Sequence, residues 1–133
     1  MLSDLSAVRA ELRIAIANMD VVTRKKQADR YQLSSRRMRL SQAGLKGCNA
    51  WNAIMKDLPQ RVDRDAAESL RSLHQDHLEV LRHSSTHIGK WTLDRIEEDW
   101  SGYCAAYKTL RGILLGYIES EDWTVESVLS GGR

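Results

Sequence analysis

A single proline, Pro59, stands in a chain of 133 residues, and that scarcity constrains the fold more than any motif does. Proline removes a backbone donor and clashes with the preceding helical turn, so a chain nearly without it is free to be helical almost end to end. Apolar residues recur at steps of three and four along most of the sequence, and no segment alternates as a half-buried strand would. Leu5, Val8, Leu12, Ala15, Met19 and Val22 trace a first helix, over about residues 4–31, with Ser3 or Asp4 placed to cap it. The pattern thins through TRKKQADRYQLSSRR and resumes with Met38, Leu45, Cys48, Trp51, Met55 and Leu58. This second helix would be capped by Ser34 or Ser35, unless one long helix runs through residues 31–35.

Pro59 closes this half. Val62, Ala66, Leu70, Leu73, His77, Val80, Leu81, Ser84 and Ile88 form a third stripe, over about residues 62–88. Leu93, Ile96, Trp100, Tyr103, Tyr107, Leu110, Leu114 and Tyr117 form a fourth, over about residues 92–120. At about 100° per residue the third and fourth stripes point to opposite sides of one rigid helix, so the helix must break between them. Gly89 suits a left-handed C-terminus there and Thr92 a new N-cap. Short connections favour antiparallel neighbours, which makes the expected fold all-α: an antiparallel up-down-up-down four-helix bundle with a short C-terminal tail. The expected organisation is one domain over residues 1–120. Residues 121–133 are read as a partly flexible tail in which Trp123, Val125 and Val128 dock and Gly131–Arg133 are loose.

Apolar runs are only a few residues long, so neither a membrane span nor a signal peptide is read, and the expected location is cytoplasmic. Cys48 and Cys104 are too few and too far apart for a disulfide framework; both fall on apolar stripes and read as buried reduced thiols. The net charge of +2 is unevenly spread. Residues 1–58 carry eleven Lys and Arg against five Asp and Glu, whereas residues 59–133 carry nine against thirteen. The excess gathers in 24–46, and the surface read as partner-binding is Arg24, Lys25, Lys26, Arg30, Arg36, Arg37 and Arg39. A protein partner fits these cations better than nucleic acid does, because the overall charge is near neutral and no DNA- or RNA-binding motif is present. Oppositely charged halves also permit homo-oligomers.

All four histidines lie in HQDHLEVLRHSSTH, His74 to His87. Neither a Glu-x-x-His pair nor His-Glu-x-x-His occurs, so no metal site is read and no cofactor is expected. His77 falls at the centre of the apolar stripe, where it should be a neutral core imidazole hydrogen-bonded to a group such as a tyrosine. His74 and His87 flank the stripe, and His83 points to solvent. Two short strings carry a resemblance. HIGKW puts Lys90 three residues after His87 but has Trp91 where a glycine would stand, and AGLKG has Ala43 at a histidine's place. These resemble fragments of the histidine-containing phosphotransfer domains, each over about five residues and neither complete, so no family is assigned. The resemblance implies phosphotransfer through His87 or the exposed His83, with Lys90, as the alternative function. Nothing in the spacing gathers catalytic groups on one pocket. The first expectation is therefore a non-enzymatic adaptor or regulator; a nucleic-acid-binding module using the same cations is the second alternative.

Overall fold

The computed structural model describes residues 1–131. Helices α1 (Leu2–Thr23), α2 (Arg30–Asp57), α3 (Arg64–Lys90) and α5 (Trp100–Leu129) are long; α4 (Leu93–Glu98) is short, and a 3-10 turn at Leu58–Gln60 carries Pro59. No strand occurs among the described residues. Arg9 of α1 meets Glu121 of α5, and Asp20 of α1 meets Arg111 of α5. Chain direction therefore reverses between these two helices. Gly47 against His77 and Gly44 against Leu81 give the same reversal between α2 and α3. With the two tight hairpins, α1–α2 and α3–α5, this is the expected antiparallel four-helix bundle.

Three apolar clusters are stacked along the axis. Leu5, Trp51, Ile54, Leu70, Leu73, Tyr117 and Val125 fill one end. Met19, Val22, Leu33, Trp91, Ile96, Tyr103 and Tyr107 fill the other. Ile16, Leu110, Leu114 and Ile118 lie between them. Each such side chain taken from water stabilises the fold by roughly 1.5–3 kcal/mol before entropy is counted.

The helix boundaries correct the periodicity in five places. The first break falls at residues 24–29, not 31–35, because the Asp29 carboxylate accepts the Gln32 N–H at 3.1 Å and caps α2. The carbonyls freed at the end of α1 are met from α5: Trp100 Nε1 donates to Lys25 O at 3.0 Å and Cys104 Sγ to Thr23 O at 3.5 Å. At the other end of α1, Met1 rather than Ser3 or Asp4 holds the cap position, with no side-chain bond. Gly89 is an ordinary helical residue, and Gly131 is the one positive-φ glycine among the described residues. α3 ends at Lys90, two residues beyond the expected 88, after which Thr92 caps α4 through Arg95 N–H at 3.2 Å, as expected. The fourth helix is split at Asp99, whose carboxylate accepts Gly102 N–H at 3.0 Å. A Cβ at Gly102 would stand 2.2 Å from Asp99 Oδ2, so a larger residue there would push the capping carboxylate aside.

The fifth correction is the tail. α5 runs on to Leu129, with Glu121 and Val125 buried and Trp123 73% exposed. Glu121 fell within the expected tail, and its partners, Arg9 and Tyr117, are not apparent from its own segment. Gly132 and Arg133, expected to be loose, lie outside the described residues. The two thiols are half-buried and unpaired, and burial raises both pKa values.

Two helical glycines on α2 give a paired expectation. A Cβ at Gly44 meets nothing closer than Leu81 Cδ2 at 3.8 Å, whereas one at Gly47 would press on His77 Cε1 at 3.2 Å. Gly44→Ala should raise stability by about 0.5–1 kcal/mol in urea unfolding, and Gly47→Ala should show no such gain.

Candidate functional site

The basic stretch divides once its contacts are followed. Arg30 pairs with Asp94 and with Glu97, the latter at 2.5 Å, and these carboxylates raise its pKa. Lys25 Nζ reaches Gln32 Oε1 at 2.5 Å and Asp29 Oδ2 at 3.4 Å. Arg37 is half-buried; its Nη2 donates to Trp91 O at 2.6 Å, closing the C-terminus of α3, and its guanidinium lies 5.8 Å from the Tyr103 ring centre. These three cations of the expected partner surface are engaged in contacts within the chain. Arg24, Lys26, Arg36 and Arg39 form no ion pair among the described residues.

The same stretch carries a feature the periodicity misassigned. Met38 and Leu45, read as core, are 60% and 62% exposed, and Tyr31 is 84% exposed. At seven-residue spacing, close to two helical turns, they share one outward stripe of α2. The inward face is Leu33, Ala43, Gly47, Trp51 and Ile54. The available signal was the Tyr31–Met38–Leu45 repeat itself, which is a second apolar stripe on a helix that already had one.

The histidines occupy the environments the stripe assigned. His74 is half-buried against Trp51, with ring centres 5.5 Å apart, and His83 is exposed. His77 is 7% exposed, between Trp51 and Tyr117 at 6.2 and 5.8 Å. Burial, then the nearby His74, push its pKa down to about 4, so it is neutral. The expected tyrosine bond is not made. The Tyr117 hydroxyl donates to Glu121 Oε2 and accepts from Trp51 Nε1 at 3.0 Å, which leaves His77 Nε2 unpartnered. His87 is half-buried, its ring 5.5 Å from that of Tyr103; burial and Arg37 hold its pKa near 4 as well, down to about 4. Lys90 Nζ sits 5.9 Å from the Trp91 ring centre. No group of three metal-ligating side chains occurs among the described residues.

Inside the bundle lies a cavity of about 180 Å³, walled mainly by aliphatic side chains such as Leu12, Leu40, Val80, Leu110, Leu114 and Ile118. Its wall also includes His77 and Tyr103, the two residues whose buried side-chain polar atoms lack a hydrogen-bond partner among the described residues. A groove between α3 and α5 gathers Arg82, His83, Thr86, His87 and Lys90.

No known family, curated protein or solved structure matches the chain. Fold and surface define the class: an all-α antiparallel four-helix bundle in which no described helix is long and apolar enough to cross a membrane.

Proposed function

We propose that this bundle is a non-enzymatic adaptor or regulator that docks a protein partner on the outward face of α2. The observation that carries the reading is the exposed Tyr31–Met38–Leu45 stripe of α2, with unpaired Arg39 one residue from Met38 and unpaired Arg24 and Lys26 in the turn that leads into the helix. Tyrosine, methionine and arginine are the residue types enriched where one protein buries another. Unpaired cations beside an apolar stripe favour an amphipathic helix with acidic flanks as the occupant. Lys25, Arg30 and Arg37 leave the proposed surface, since their charges are committed within the chain.

The test is co-purification from the native cell with wild type, Met38→Glu/Leu45→Glu, and Arg24→Glu/Lys26→Glu/Arg39→Glu. A stoichiometric protein partner should be retained by the wild type and lost with the apolar pair. The charge variant should mainly slow association, because rim charges steer encounter more than they hold the complex. Binding of duplex DNA or single-stranded RNA by three or four phosphate contacts would instead fall roughly tenfold to a hundredfold between 50 and 200 mM salt. Tight nucleic-acid binding at about 150 mM salt, lost in the charge variant, would replace the adaptor reading. Concentration-dependent dimerisation lost with Met38→Glu would make the partner a second copy.

A second reading rests on the α3–α5 groove, which brings His83 and His87 together with Arg82 and Lys90. There a phosphoryl group on His83 or His87 would be met by cations. Acid-labile, base-stable phosphate on either histidine, after incubation with a phosphorylated response regulator, would support phosphotransfer; its absence would remove it.

A further inference from the structure

We infer that the core cavity is a binding site for a neutral, elongated, mostly aliphatic molecule that carries a hydrogen-bonding group. It shares Leu45, at its mouth, with the α2 stripe, but the tests below leave that residue in place. The cavity, at about 180 Å³, exceeds the roughly 150 Å³ apolar cavity that suffices to bind benzene. Its wall draws on residues from Leu5, Trp51 and Tyr117 at one end to Met19 and Tyr103 at the other, so it follows the bundle axis. His77 and His87 both line it, ten residues apart on α3, which corresponds to about 15 Å of helix. The space is therefore long and narrow, and a chain fits it better than a fused ring system.

The polar groups define the rest of the ligand. His77 Nε2 and Tyr103 Oη are fully enclosed and unpartnered, and native proteins rarely leave such atoms unpaired, because each costs free energy. Both lie on the wall of the same cavity, toward its two ends, where a hydroxyl, carbonyl or amide of a bound molecule would complete one of them. The charged residues on the wall are spoken for. Arg9 is held by Glu121 at 2.6 Å and by Asp122 at 2.5 Å, and Arg37 by Trp91 O at 2.6 Å. With no free counter-charge, an ionised head group would be stranded in an apolar interior, so the ligand is uncharged. Access runs along the α2–α3 seam, where exposed Leu45 and Ile88 stand with Ser41 and Ser85 among the lining residues.

Hexan-1-ol, octan-1-ol and decan-1-ol, with decanoate and decylammonium as charged controls, probe this in the full chain. Tryptophan fluorescence and the shift in Tm are the readouts. Saturable one-to-one binding of the alcohols should tighten about three- to fourfold per added methylene until the cavity is full. Both charged controls should bind at least tenfold more weakly. His77→Leu should fold and still bind the chains but lose the preference for an alcohol over the corresponding methyl ether. Leu114→Phe and Leu40→Phe, which narrow the cavity from two helices, should each weaken decan-1-ol at least tenfold. Failure of all three alcohols to bind the folded wild type overturns the inference. So does equal binding of decanoate and decan-1-ol, or unchanged binding in whichever filled variants fold.

Discussion

Acidification from pH 7 to pH 4 should destabilise the bundle well before its carboxylates titrate. His77 and His87 have pKa values pushed down to about 4 by burial, against 6.5 when exposed. The sign follows from proton counting. Between pH 6.5 and 4 the unfolded chain binds protons that the folded chain refuses, so stability is intact above 6.5 and is lost as pH falls toward 4. For His77 the shift corresponds to about 3 kcal/mol at its limit; half-exposed His87 contributes less. Urea unfolding at pH 7, 5.5 and 4.5 should therefore show a falling midpoint, with a much shallower slope in His77→Leu. That variant should also be about 1–3 kcal/mol more stable at pH 7, since the unpartnered Nε2 is gone. A flat profile across this window in the wild type would contradict the buried, neutral state of both rings.

Loss of Arg9 should cost about 3–5 kcal/mol. Arg9 is 6% exposed and Glu121 3% exposed, and the two meet at 2.6 Å. Arg9 also holds Asp122 at 2.5 Å, and Glu121 accepts from Tyr117, which in turn accepts from Trp51. One hydrogen-bonded chain thus ties α1, α5 and α2 together. Arg9→Leu leaves a carboxylate buried beside a tyrosine whose pKa is already raised by burial and by that carboxylate. Glu121→Leu should cost less, because Arg9 keeps Asp122. The double variant Arg9→Leu/Glu121→Leu should recover most of the loss, since replacing both charges removes the stranded partner. If Arg9→Leu and the double variant are equally destabilised, packing rather than charge holds these helices.

The fold class was legible because helical periodicity is a local property: side chains three and four residues apart share a face whatever the rest of the chain does. Four stripes, one proline and the phase change after Ile88 were enough for an antiparallel four-helix bundle, and Thr92 was readable as a cap. What tertiary structure decided were matters of partners distant in sequence. Glu121 entered the core because Arg9 was waiting 112 residues away, which turned an apparent tail into the last turns of α5. Arg30 and Arg37, counted as free cations, were drawn into contacts with Asp94, Glu97 and the Trp91 carbonyl. Met38 and Leu45 lay on a helix with two apolar stripes, and periodicity alone cannot rank two stripes; packing against α1 and α3 chose the other. The cavity was equally invisible, because a void arises where four helices fail to close upon one another, and no single helix encodes that distance.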